Sequence, residues 1–180
     1  TIGEHCRAGG EIEESIMHSY VNKYHEGFLG HSYVCPWVNI GALSCTSDLK
    51  SDCTTVKVPL QGQMIDSGIH KLGSFIGDHV KTAMDSMFNS GSSIGVCSMV
   101  IPGGRLLPRN VPSFSGVTFG ELSCDWTIDA SIETARAMMS RRDRTLTPNA
   151  ERLLRIVYQR TEQERHAALQ QAADRRLLRS

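Results

Sequence analysis

A chain of 180 residues with 19 Lys+Arg against 19 Asp+Glu carries no net charge, so global electrostatics argue for neither nucleic acid nor an anionic membrane as partner. No apolar run of about 18 residues and no signal-peptide pattern is present, which makes a cytoplasmic protein without a membrane span the expectation. The charge is unevenly spread: residues 1–130 hold eight Lys/Arg against thirteen Asp/Glu, and residues 131–180 hold eleven against six. All sixteen glycines lie at or before Gly120, so a turn-rich body precedes a Gly-free, Arg-rich tail.

The first residues already keep a spacing of six, with Ile2-Gly3 opening a loose hexad and Cys6 at its fifth place. A repeat begun in mid-stride, on Thr1 rather than Met, leads to the expectation that a natural N-terminal part precedes it. The same phase runs through Phe28, Val34 and Ile40, with Ser32, Val38 and Ser44 at the fifth place. Thr46 to Ser74 breaks the period; within it VKVPLQGQMIDSG reads as a hairpin turning at Gln61-Gly62, an arm projecting from the coils. The hexads resume through Ile76, Thr82, Phe88, Ile94 and Val100, followed by Gly77, Ala83, Asn89, Gly95 and Ile101.

Such a period reads as a solenoid with three flat faces, three hexads to a coil, the place-one residue pointing inward and a small residue at the corner. From Pro102, IPGGRLLPRNVPSFSG reads as a Pro/Gly loop leaving the solenoid. Asp129 to Arg142 has apolar residues at 132, 135, 138 and 139, the helical period. Thr147 and Pro148 then read as N-cap and first turn of a second helix running on through AERLLRIVYQRTEQERHAALQQAADRRLLR, with a stripe of Leu153, Leu154, Val157 and Ala168. The expected organisation is an all-β solenoid over 1–126, with its arm at about 46–74, and an α-helical tail over 127–180 that caps the coil end or packs on a partner.

Six cysteines (Cys6, Cys35, Cys45, Cys53, Cys97, Cys124) form no C-x-x-C pair and no metal-type spacing, so no metal is expected and the thiols read as buried free core or corner fillers. His31 and His79 fall at outward places and read as solvated; Trp37 reads as a face-packing or trimer-contact residue. Lys81 and Lys50 are candidates for the phosphates of coenzyme A, beside the plainer reading of solvated surface lysines.

HEGFLGHSYVCPWVNIGALSCTSD, residues 25–48, resembles the acetyltransferase half of the bifunctional UDP-N-acetylglucosamine pyrophosphorylase/glucosamine-1-phosphate N-acetyltransferases. KLGSFIGDHVKTAM, residues 71–84, resembles archaeal and related bacterial sugar-1-phosphate nucleotidyltransferases that share the β-helix. The resemblance covers roughly residues 10–115 and implies a left-handed parallel β-helix, a homotrimer, and acetyl transfer from acetyl-CoA to an amino-sugar phosphate. It also implies a fused nucleotidyltransferase domain outside this chain, with Mg needed only where that domain is present.

His25 matches the family's general base, and imidazole suits an attacking amine that must shed a proton near neutrality. Asn39 matches a residue contacting the amino sugar, Phe28 and Asp48 stand where the family has Tyr and Asn in the substrate pocket, and Ala42 falls near the thioester end of the coenzyme. The chain departs from the family pattern at Phe28, at Cys35 and Leu43 in place of glycines, and at Glu13-Glu14, where the family has paired lysines for the sugar phosphate. Two further readings therefore stand beside the acyltransferase: a non-catalytic trimerisation or regulatory β-helix of a sugar nucleotidyltransferase, and a metal-dependent hydro-lyase of the γ-carbonic anhydrase type. The last needs three convergent histidines, and His25 and His31 lack the spacing of its H-x4-H pair.

Overall fold

The computed structural model describes residues 1–123 and 125–177. Its body is a parallel β-solenoid of short strands wound over three faces, the architecture of a left-handed β-helix with a helical extension. The first face stacks Ile16–Met17, Tyr33–Val34, Phe75–Ile76, Ser93–Ile94 and Asn110–Val111. The second runs from Arg7–Ala8 and Asn22–Lys23 through Asn39 to Lys81–Thr82, Met99–Ile101 and Gly116–Thr118. The third stacks Glu11–Glu13, Phe28–Gly30, Cys45–Thr46 and Met87–Phe88.

Strand alternation sends one residue of each strand inward, and register stacks it on its equivalent in the next coil. Met17, Val34, Ile76, Ile94 and Val111 form one such column, all at most 1% exposed. Corner serines complete the interior: Ser15 Oγ accepts from Ser32 N at 3.0 Å, and Ser32 Oγ accepts from Ser74 N at 2.9 Å. A hydroxyl there satisfies buried backbone where the interior is too narrow for a larger side chain.

The hexad phase holds from Val34 onward and fails before it. Leu29, not Phe28, points inward, 1% exposed and registered with Thr46; Phe28 lies half-buried outside with its ring folded over Gly30. Inward residues are five apart at this corner, Ile12 to Met17 and Leu29 to Val34, against six at the corners of Tyr20 and Trp37, although all of them turn in the left-handed region. Counting back six from Val34 therefore lands one residue short.

The arm is an antiparallel hairpin of Lys57–Leu60 and Gln63–Asp66 turning at Gln61-Gly62, as its sequence predicts. The segment after Pro102 does not leave the solenoid. Leu106 bridges to Met87, Asn110–Val111 joins the first face and Gly116–Thr118 the second, so the Pro/Gly stretch is one more coil with a longer corner. At that end Glu121–Ser123 folds back antiparallel on Gly116–Thr118 and covers its edge, the role the sequence reading gives to a helix.

The tail forms α1 (Ile128–Ser140), α2 (Pro148–Arg160) and α3 (Glu162–Leu177). Thr147 caps α2 as predicted, its Oγ1 accepting from Ala150 N at 3.2 Å. The long second helix breaks at Thr161, whose hydroxyl donates to Val157 O at 2.8 Å while Arg165 donates to Thr161 Oγ1 and Tyr158 O. Side chains thus compete for the carbonyls that would continue the ladder. In α2, Leu154 is buried and Leu153 is 60% exposed, so the predicted stripe narrows.

The tail packs against one corner of the solenoid, and α3 also lies against Glu121–Ser123 at its end. Cys97 and Phe114 from that corner form a second core with Ile132, Ala135, Leu146 and Leu154. The same corner carries a column of left-handed residues, His5, Tyr20, Trp37 and His79, whose rings stack in sequence at centroid distances of 4.8, 4.0 and 6.2 Å. Arg144 from the α1–α2 link donates to Tyr20 Oη at 2.7 Å, which fastens the tail to this column. Among the described residues no helix is long and apolar enough to cross a membrane.

Candidate functional site

His25 stands on the corner between the second and third faces, exposed, with Tyr24 edge-on to its ring at 5.5 Å. What holds this corner is a residue the sequence reading passed over. Lys23 occupies an inward place, 2% exposed, in the same column as Ile40 and Thr82. Its Nζ donates to Gly9 O at 2.7 Å and to His25 O at 2.6 Å, so the ammonium inside the coil fixes the His25 backbone while the imidazole stays outside. Burial lowers the Lys23 pKa from its ordinary value. The sequence phase through Phe28 points to Asn22 instead, and Lys23 falls on the inward column only once the register turns Leu29 inward.

Above His25 the next coil contributes Ala42, half-buried, whose carbonyl accepts from Asp85 N at 2.8 Å. Leu43, left-handed at φ 63°, projects 59% exposed, and Met84 beyond it is 71% exposed. Gly27 is required at this corner: at φ 127° a Cβ would run into Ser44 O of the coil above. Asn39 lies on the outer surface of the second face, its Oδ1 accepting from Asn22 Nδ2 at 2.8 Å.

Lys81 is on the same outer column, but α1 lies over it; Ser131, Thr134 and Trp126 line the space above. It is 8% exposed, and its Nζ donates to Trp37 O at 2.7 Å and His79 O at 2.8 Å. Burial pushes its pKa down to about 8. Lys50, in the arm, donates instead to Asp52 and Thr54.

Phe28 and Asp48 belong to a separate grouping on the next corner, where the arm leaves the solenoid. Asp48 is 8% exposed and its Oδ2 lies 2.7 Å from His31 Nδ1, so His31 is a paired side chain and not a solvated one. Glu13 sits beside them and receives Lys71 Nζ at 3.3 Å, which returns positive charge to a place where the sequence shows only carboxylates. His79 is likewise not solvated: it is walled in by Trp37 and the tail, and burial pushes its pKa down to about 4. Trp37 packs face to face within the aromatic column. Cys97 is buried, but Cys45 and Cys53 are exposed, so the thiols are not uniformly fillers; Cys124 lies outside the described residues.

The structure thus presents His25, Ala42 and Leu43 on one corner, Asn39 and Lys81 on the adjoining face, and Phe28 with Asp48 on another corner. A cavity of about 1140 Å³ lies elsewhere, between the hairpin tip, Arg105 to Asn110 and α3, and none of these residues lines it. A void at the meeting of an arm and a tail is weaker evidence of chemistry than a convergence of titratable groups.

No family model matches the chain. It is 35% identical over 96 residues to a bifunctional sugar-1-phosphate nucleotidylyltransferase/acetyltransferase of Sulfurisphaera tokodaii, covering 53% of this chain and 24% of that protein. It is 33% identical over 90 residues to the bifunctional protein GlmU of Methanococcus maripaludis strain C7, covering 50% and 22% respectively. With GlmU of Methanocaldococcus jannaschii the identity is 31% over 85 residues, 47% of this chain and 21% of that one. Over about half its length this β-solenoid chain is homologous to bifunctional sugar-1-phosphate nucleotidylyltransferase/acetyltransferases, and it spans about a quarter of the length of the relatives it matches.

Proposed function

We propose that the chain is the acyltransferase part of a sugar-nucleotide-forming protein, transferring acetyl from acetyl-CoA to the amine of an amino-sugar phosphate. The observation that carries this reading is the homology to proteins named as acetyltransferases, combined with an imidazole held outward on a corner whose backbone is fixed from within. In this reading His25 removes the proton as the amine attacks the thioester carbonyl, and the coenzyme leaves as thiolate. Asn39 contacts the sugar and Ala42 lies by the thioester, whereas Phe28 and Asp48 are grouped on the next corner. Lys81, the candidate for the coenzyme phosphates, is held under α1 by Trp37 O and His79 O. A homotrimer is part of the same proposal, supported by the exposed ridge of Ile16, Tyr33 and Phe75 on the first face, each 39–45% exposed.

The experiment is acetyl transfer from acetyl-CoA to a panel of amino-sugar phosphates, with His25→Ala beside the parent chain. Turnover lost in His25→Ala supports the reading; no turnover and no coenzyme binding by calorimetry refutes it. That outcome leaves the second reading, a non-catalytic trimerising or regulatory β-helix of a sugar nucleotidyltransferase. It is favoured by a Lys81 engaged under α1.

A further inference from the structure

We propose that Glu13, His31 and Asp48 form a site for one divalent transition-metal ion, of the zinc or manganese class, at the root of the arm. One ligand atom from each lies within 4.8 Å of the others, and among the described residues no other three His, Cys, Asp or Glu side chains converge in this way. Metal–ligand bonds of roughly 2.0–2.2 Å at tetrahedral angles put two ligands of one ion about 3.4 Å apart. Closing the triad therefore moves the outermost donor by about 1.4 Å, within the swing of the exposed Glu13 side chain, and parts His31 Nδ1 from Asp48 Oδ2, now 2.7 Å apart, as the metal replaces the proton between them.

The solenoid register builds the site. Leu29 pairs with Thr46, so His31 and Asp48, two residues further along, occupy equivalent places on successive coils. Glu13 pairs with Gly30, which brings the carboxylate of the coil below beneath a residue with no side chain. A Cβ at Gly30 would overlap the Phe28 ring and stand 2.8 Å from Asp48 Oδ2, so only glycine leaves the space between the three donors open. The cluster has already drawn one cation, the Lys71 ammonium from the returning end of the arm, 3.3 Å from Glu13 Oε1. That lysine is half-exposed and free to swing into water when a metal replaces it.

One imidazole with two carboxylates suits zinc or manganese, whereas calcium and magnesium prefer oxygen ligands alone. Binding would tie the point where the arm departs, Asp48, to the two coils below it. The ligands lie 18 and 35 residues from Glu13, which is why no short motif announces them.

The test is calorimetry with ZnCl2 and with MnCl2 on the full chain after EDTA treatment, carrying Cys45→Ser and Cys53→Ser so that exposed thiols do not capture zinc. A saturable one-ion isotherm is expected, weakened about tenfold or more by His31→Gln, Asp48→Asn or Glu13→Gln and strengthened by Lys71→Met. Glu13→Gln changes an exposed side chain, so it reports even if the variants of the buried pair do not fold. No saturable binding, or an isotherm unchanged in Glu13→Gln, overturns the proposal. Turnover is not measured, so the result stands apart from the acyl-transfer reading.

Discussion

His79 stacks on Trp37 with ring planes 4° apart, and its Nδ1 is buried with no hydrogen-bond partner among the described residues. Burial pushes its pKa from 6.5 down to about 4, so the neutral ring is the form that fits the fold. The unfolded chain takes up the proton first as pH falls, so this stability is complete above about 6.5 and is lost toward 4. His79→Phe keeps the stack without the titration. Urea unfolding from pH 7 to 4 should show the parent chain losing on the order of 2–3 kcal/mol more than the variant.

Lys81 gives the opposite limb. With its pKa pushed down to about 8 from 10.5, the ammonium is disfavoured in the fold, and at pH 8 and below that cost is present in full. Between 8 and 10.5 the folded lysine is neutral while the unfolded one is charged, so stability rises with pH across that window. The parent-minus-variant profile for Lys81→Met should slope upward there. A flat difference would mean that the two carbonyls holding Nζ sustain the charge.

Thiol chemistry should separate the cysteines by place. Burial pushes Cys97 up to about 12 and, with help from Asp78, Cys35 up to about 11, while Cys45 and Cys53 lie exposed. Thiolate is the reactive form. Iodoacetamide at pH 8 should alkylate Cys45 and Cys53 first and Cys97 only on unfolding, as followed by peptide mass spectrometry. Early labelling of Cys97 would contradict its burial between α1 and the solenoid.

Gly73 and Gly62 should respond differently to alanine. A Cβ at Gly73 would overlap Gly30 O and Ser32 Oγ at the corner where the arm rejoins the coils. Gly62 faces open space, and its only demand is a φ of 77° in the hairpin turn. Gly73→Ala should cost on the order of 2–4 kcal/mol in thermal unfolding, and Gly62→Ala about 1–2 kcal/mol. Equal losses would show that the arm root gives way without disturbing the coils.

Much of the fold was legible because inward stacking imposes a strict period on residue type. Ile76 to Val100 fell on the inward column, and Thr147-Pro148 announced a helix start through local hydrogen bonding alone. The errors arose where geometry departs from the period without changing composition. Phe28 and Leu29 are both apolar, and only the corner between them and Val34, one residue shorter than those at Tyr20 and Trp37, decides which faces in. The segment after Pro102 carries turn residues yet rejoins the faces, because a long corner and an exit look alike in sequence. Of the candidate site residues, His25 could be picked out by motif, while its support from Lys23 became plain only with the register.

By itself the sequence determined the solenoid, the arm and the helical tail, since period, turn residues and caps are local properties that each segment carries alone. The tertiary structure decided which side chains meet. Register across coils joined Glu13 to His31, Asp48 and Lys71, and the tail's choice of corner buried His79 and Lys81, which the sequence leaves looking like surface. Those partnerships depend on residues 17 to 58 positions apart, and no local preference encodes the packing that selects them.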